Sequence, residues 1–437
     1  NSKAFTSAAL AMMVDQGKLK WDDKVIDYIP EFRMYDPYVT DAFTIRDLLT
    51  HRSGLGLGAG DLMFFPDGNN FTKDEIIRNI RYLKQVSGFR AQYDYDNNMY
   101  IVAGEVLARV VGKSWEEFIE DDIMRPIGFI HSKASWGRVK NNANIIDAHV
   151  PFNGKVQAIE HDWSENANAA GGIMSNLTDL SKWVILQMNK GKYGTGLNKK
   201  LVSEEAHHEM WSVQTPIKVG GPGPYNTHFA GYGLGWFLSD VNGYKQVSHT
   251  GGLLGTVTQV TLIPELSLGI IVLTNQQSGA AFTAITNTIK DSYFGITGKD
   301  RVKQYHDNVI RNETEAKKIT DQIWKAIDST QKANPVKPNT ALLTGTYTDK
   351  WFGEVDLTEK AGNLWFTSKK SPRISGQLFP YKGSTWIAKW NDRSLDADAF
   401  VMFSLDPEGK ASGMTMKAIS PLTDFSFDFH DLEFRRK

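Results

Sequence analysis

The sequence contains no cysteine. This excludes disulfides, thiolate metal sites and a cysteine nucleophile together, and leaves the compartment open. Long apolar runs are missing too. The longest comparable stretch, Leu268 to Leu273, falls far short of the roughly 18 residues that span a bilayer. Neither sign of charge is in excess: 49 Lys and Arg stand against 50 Asp and Glu, a formal net charge of −1. Without a global basic field, nucleic acid is not expected as a partner, and the terminal Arg435-Arg436-Lys437 reads as a solvated chain end. No internal repeat and no low-complexity tract is detectable.

What is present suits a globular protein, with 41% hydrophobic and 23% charged residues. A length of 437 residues predicts two domains, one of them large. Ala4, Phe5, Ala8, Ala9, Met12 and Met13 fall at helical spacing after Lys3, and Gly17 stops the run. Capping-box pairs, Thr44 with Asp47 and Thr72 with Glu75, open further helices, and another is expected from Asn98 to Val111, closed by Gly112. From Tyr232 the pattern changes to β-rich runs at 232–239, 244–249, 256–263 and 268–274. Asn242-Gly243, Gly251-Gly252 and Pro264-Glu265 separate them, and the arrangement predicts an antiparallel meander. A helix near 280–293 and a charged helical stretch from 300 to about 332 follow. Asn334-Pro335-Val336-Lys337-Pro338-Asn339 then reads as a linker. The remainder is short strands with turns at Ala361-Gly362-Asn363, Lys382-Gly383 and Pro407-Glu408-Gly409, a pattern that suits a small closed barrel because closure removes exposed edges.

Three short stretches carry chemistry: Asn1-Ser2-Lys3 opening a helix, Tyr95-Asp96-Asn97 just before a helix, and His249-Thr250-Gly251 at a strand end. In this order they resemble the penicillin-recognising serine hydrolases, the group of serine β-lactamases, D,D-peptidases, D-aminopeptidases and related esterases. There the motifs run Ser-x-x-Lys, Tyr-x-Asn, then Lys- or His-Thr-Gly. The flanking phrases Leu48-Leu49-Thr50-His51-Arg52-Ser53-Gly54-Leu55, Ala170-Gly171-Gly172-Ile173 and Tyr232-Gly233-Leu234-Gly235-Trp236 extend the resemblance over about residues 1–297. Gly345-Thr346-Tyr347 opens a segment similar to the lipocalin-like barrel of some members.

The resemblance implies an α/β catalytic domain over 1–297, an antiparallel sheet flanked by helices with a helical subdomain. A helical, Pro-containing linker over 298–339 and a small all-β barrel over 340–437 follow. It implies hydrolysis through an acyl-enzyme on amide or ester substrates, D-amino-acid peptides among them, with esterase or β-lactamase activity open. The alternative is a catalytically inactive binder of cell-wall peptides. Lys3 is the implied base or partner of the serine, Tyr95 the relay that passes the proton to the leaving group, and Asn97 the hydrogen-bonder for Lys3 and the substrate amide. His249, Thr250 and Gly251 would line the scissile bond, with the Gly252 amide as oxyanion donor. Histidine in place of lysine weakens the fixed positive charge for a substrate carboxylate and favours peptidase, D-aminopeptidase or esterase members. No cofactor and no metal are implied. It implies a small-molecule or short-peptide substrate, favours a periplasmic or secreted location and is compatible with a homo-oligomer.

Spacing puts the nucleophilic serine immediately before Asn1. Ser2 is no substitute, because helix neighbours point about 100° apart and cannot share a face with Lys3. A preceding segment, with the family's missing helix and strands, is therefore expected, and the intact Lys3, Tyr95 and His249 favour it over a protein lacking the nucleophile.

Other patterns have plainer readings. Gly54, Gly56, Gly58 and Gly60 follow a helix and lack the lysine-serine pair of a phosphate loop. His131, His149, His161 and His207-His208 lack metal-ligand spacing. Trp351, Trp365, Trp386 and Trp390 are expected to fill the barrel core, the alternative being a ligand cavity. Substrate selectivity is expected in the loops 56–67 and 220–228.

Overall fold

A computed structural model describes residues 1–140, 144–152, 155–162, 164–333 and 339–437. The linker proposed at Asn334–Asn339 lies outside the described residues except for Asn339, whose side chain caps a short 3₁₀ turn by accepting from the Ala341 amide. The chain divides into two compact units: Asn1–Gly56 with Gln85–Tyr305, and Leu57–Lys84 with His306–Lys437.

In the first unit helix α1 (Ser2–Asp15) is buried nearly all round, from Ser2 through Ala11 and at Met13. Its alanines let neighbours approach on every side, so it reads as a core helix and not an amphipathic surface one. Phe5 stacks on Trp183 of helix α3 (Leu177–Met188), with ring centroids 3.9 Å apart. Helix α2 (Asn98–Val111) ends at Gly112 in the left-handed region, as the sequence predicts.

The sheet is a six-stranded antiparallel meander in which each strand pairs with the next: β1 (Thr215–Ile217), β2 (Ala230–Tyr232), β3 (Phe237–Val241), β4 (Tyr244–Leu253), β5 (Thr256–Ile263) and β6 (Leu268–Leu273). Ile270 and Val272 of β6 meet Phe282 and Ile289 of helix α4 (Gly279–Tyr293), whereas a Cβ on the intervening Gly269 would press on Val184 of α3. Because successive strand residues alternate faces, α3 and α4 cover opposite sides of this edge.

Two details depart from the sequence reading. The run 232–239 is not one strand. It turns between β2 and β3, where Gly235, at φ +82°, comes so close to α1 that a Cβ would lie 2.7 Å from Ser7 Oγ. Gly251-Gly252 is not a turn either. It continues β4, and a Cβ on Gly251 would collide with Thr258 Oγ1 at 2.4 Å, so the glycine serves close strand packing instead of chain reversal.

In the second unit the strands β7 (Gly345–Asp349), β8 (Gly353–Lys360), β9 (Asn363–Ser368), β10 (Ser375–Lys382), β11 (Thr385–Trp390), β12 (Ala399–Leu405), β13 (Ala411–Ala418) and β14 (Glu433–Arg436) form a closed antiparallel barrel, with β14 returning to β7. Aromatic rings meet across the interior: Phe366 of β9 lies 5.4 Å from Trp390 of β11 and 6.2 Å from Phe434 of β14. Trp351, Trp386 and Trp390 are buried and Trp365 is half-buried. Helix α5 (Arg301–Ala333) lays Ile323 and Ile327 against Ile387 and Ile419.

The stretch Leu57–Lys84 belongs to this unit. Both carboxylate oxygens of the buried Asp428 accept from its backbone, at the amides of Gly60 (2.5 Å) and Leu62 (3.2 Å), and Ser426 Oγ donates to Asp61. Its helix Lys73–Asn79 has the capping box expected of Thr72 and Glu75. Most of the loop 56–67, expected to shape selectivity, is thus packed within the barrel unit.

Candidate active site

Lys3 sits in the first turn of α1 and is buried. Its Nζ donates to Asn97 Oδ1 (2.7 Å) and to the Ala170 carbonyl (3.0 Å), and lies 4.6 Å from the centroid of the Tyr95 ring and 5.2 Å from that of Tyr100. The ammonium therefore ties together α1, the loop before α2 and the segment 169–173. Thr6 Oγ1, one helical turn on, donates to the Ala169 carbonyl (2.7 Å) and holds the same segment. Ser2 Oγ accepts from the Ile173 amide (3.1 Å), so this hydroxyl is engaged away from Lys3, in keeping with the helical geometry.

Tyr95-Asp96-Asn97 is held from beneath by Asp96. Its buried carboxylate accepts from the Asn98 amide (3.0 Å) at the N-terminus of α2 and from Ser53 Oγ (3.2 Å). Burial pushes this carboxyl up to about 7, against the pull of those bonds and of Lys3. The raised value has a consequence for stability. The folded state holds the proton more tightly than the unfolded chain, whose Asp titrates near 4, so the stability from the protonated form is complete below about pH 4 and is lost as pH rises toward 7. We predict that Asp96→Asn flattens the stability profile across this window by up to ~1.4 kcal/mol per pH unit, the most one proton can contribute. Urea midpoints of the two proteins between pH 4 and 8 measure it; parallel profiles would refute it.

His51 reaches the same loop from the turn after the short helix Ile45–Leu48. Its Nδ1 accepts from the Asp96 amide (3.0 Å) and its carbonyl from the Asp94 amide (2.9 Å). His51 and Asp96 lie within the phrases 48–55 and 95–97, whose residue pattern alone does not mark them for this part.

His249, Thr250, Gly251 and Gly252 occupy the end of β4. Pairing with β3 stops at Phe237 opposite Ser248, whereas pairing with β5 runs on to Leu253 opposite Thr256. Residues 249–253 therefore have no β3 partner along one edge, where Thr250 and Gly252 are exposed. The buried His249 ring has both nitrogens engaged. Nδ1 lies 2.6 Å from the Thr250 carbonyl, which can only accept, so Nδ1 carries the proton; Nε2, 2.9 Å from the Tyr232 hydroxyl, accepts from it. Burial holds the imidazole well below its usual pKa, so the strand end is uncharged near neutrality. Tyr232 is a further residue whose part was not legible beforehand. Asn1 joins α1 to this strand: its backbone nitrogen donates to the Thr250 carbonyl (3.0 Å) and its Nδ2 to Thr258 Oγ1 (2.8 Å). The Tyr95 and His249 ring centroids are 6.2 Å apart.

Lys3, Tyr95, Asn97 and His249 thus meet in one place, with Thr250, Gly251 and Gly252 continuing the strand beside them. Among the described residues no group of three or more His, Cys, Asp or Glu could hold a metal ion, and no helix is long and apolar enough to cross a membrane.

Comparison with known proteins agrees with this architecture. Residues 330–436 match a domain of unknown function (DUF3471). The chain is 24% identical over 426 residues to Unguisins hydrolase ungD' of Aspergillus campestris (strain IBT 28561), across 94% of this chain and 78% of that one. The octameric penicillin-binding protein homologue from Pyrococcus abyssi superposes with a TM-score of 0.59 at 19% identity, over 99% of this chain and 86% of that one. A D-stereospecific amidohydrolase from Streptomyces sp. does so with a TM-score of 0.52 at 21% identity, over 63% and 80%. These superpositions speak for the fold. The Beta-lactamase family model matches residues 1–292, a span that holds every segment converging on Lys3, and the chain belongs to the Beta-lactamase family.

Proposed function

We propose that this chain belongs to a serine hydrolase that cleaves amide or ester substrates, D-amino-acid peptides among them, through an acyl-enzyme. The observation that carries the reading is the Lys3 ammonium, bonded to Asn97 Oδ1 at 2.7 Å with the Tyr95 ring beside it, at the N-terminal turn of a buried helix. A Ser-x-x-Lys helix turn puts the nucleophilic serine immediately before Asn1. The contact of the Asn1 nitrogen with the Thr250 carbonyl would set that residue against the open edge of β4. There the helix dipole favours negative charge on the attacking oxygen.

In this reading Lys3 takes or steers the serine proton, Tyr95 passes a proton to the leaving group, and Asn97 orients Lys3 and the substrate amide. The edge of β4 beyond the Asn1 contact with Thr250 pairs with an extended substrate, and the Gly252 amide and the serine's own amide bind the oxyanion. His249, uncharged and locked by Tyr232, makes the strand end a neutral wall, which suits substrates without a carboxylate beside the scissile bond. The hydrolase name of the Aspergillus relative supports the reaction class.

The test is a fluorophosphonate probe on the full-length protein, followed by peptide mapping. One covalent adduct on the residue preceding Asn1 is the expected result. No adduct at any residue would turn the reading to a non-catalytic binder of cell-wall peptides.

A further inference from the structure

His51 is an unusual residue for its place. It is fully buried and its backbone is left-handed, with φ 51°, a conformation rare for residues that carry a Cβ. Its ring lies 4.3 Å from the Tyr95 ring at 33° and is enclosed by Tyr93, Tyr100 and Tyr232, at 5.7, 5.4 and 4.6 Å. Because Nδ1 accepts from the Asp96 amide, the proton of the neutral ring is on Nε2, which is buried and has no hydrogen-bond partner among the described residues. Nδ1 by contrast has a defined partner, and through it the ring acts on the neighbouring loop.

What His51 holds lies on either side of Tyr95. Its carbonyl takes the Asp94 amide at 2.9 Å and its Nδ1 takes the Asp96 amide at 3.0 Å, while its ring lies against the phenol ring between them. We propose that His51 is the positioning residue of Tyr95, fixing the peptide units before and after it and so setting where the phenol stands relative to Lys3. The inference rests on the role given to Tyr95 above. Among the described residues the groups facing the imidazole include Lys3, Tyr93, Tyr95, Tyr100, Tyr232, His249 and, through its amide, Asp96. Burial, with Lys3 adding to it, keeps the ring neutral, the state in which Nδ1 can accept.

Asparagine offers a clean test, since its Oδ1 occupies the place of histidine Nδ1 and it tolerates the left-handed region. In the full-length protein His51→Asn is expected to be acylated by the fluorophosphonate within about fivefold of wild type. His51→Leu, which has no acceptor, is expected to lose about a hundredfold, within the range of a general acid–base group. The loss should fall in the acylation rate constant and not in the dissociation constant of the reversible complex. His51→Leu reacting at the wild-type rate, or His51→Asn falling equally far, overturns the proposal. Should His51→Leu not fold, amide hydrogen exchange of the wild type decides: slow exchange at both Asp94 and Asp96 is expected, and fast exchange at Asp96 overturns it. A wild type that takes no label fails the hydrolase reading itself, a result distinct from a labelled wild type with an equally labelled His51→Leu.

Discussion

Lys3→Ala is expected to lower the acylation rate by about 10²- to 10⁴-fold, the range over which a positioned acid–base group acts. Nζ stands between Asn97 Oδ1 and the Ala170 carbonyl, with the Tyr95 ring at 4.6 Å. The substitution also removes a donor that two oxygens share in a buried place, at a cost of about 1–3 kcal/mol each if they are left unmet. Rate and stability must therefore be read separately. Lys3→Met keeps the length of the side chain and is expected to lose as much rate with less stability. Stopped-flow acylation and thermal melts on both variants measure this, and near-wild-type acylation in either would remove Lys3 from the mechanism.

Tyr95→Phe is the second large effect, and its signature differs. The ring that faces Lys3 and His51 is retained and only the hydroxyl is lost, so folding should be little changed. A proton relay to the leaving group matters for an amine, which departs poorly as an anion, and little for an activated phenolate. The variant is expected to lose about 10²- to 10⁴-fold on amide substrates and about tenfold less on a p-nitrophenyl ester. Equal losses on both substrates would assign Tyr95 to a step before leaving-group departure, and no loss on either would remove it altogether.

Local signals in the sequence were reliable where the structure they specify is itself local. The capping boxes at Thr44 with Asp47 and Thr72 with Glu75 form as read, with both reciprocal bonds present. Gly112 ends α2, and Asn242-Gly243 turns β3 into β4 with both residues at positive φ, as a type I′ hairpin requires. Lys3, Tyr95 and His249 were legible as a set through their motifs, and the structure brings them together. What stayed hidden depends on partners far along the chain. Gly251-Gly252 looked like a turn because the demand for glycine at 251 comes from Thr258 across the ladder. His51 gave no sign of its role because that role lies in two amides more than forty residues away. The Tyr232 hydroxyl is likewise explained only by the His249 ring that it meets on another strand.

The stretch Leu57–Lys84 has a consequence for biosynthesis. Its amides at Gly60 and Leu62 are bound by Asp428, 368 and 366 positions further on. At ribosomal rates of about 5–20 residues per second, the early stretch leaves the exit tunnel roughly 20–70 s before its partner is made. The barrel unit thus cannot mature as an independent tail at the end of translation, because part of it is synthesised first and must be kept from wrong associations meanwhile.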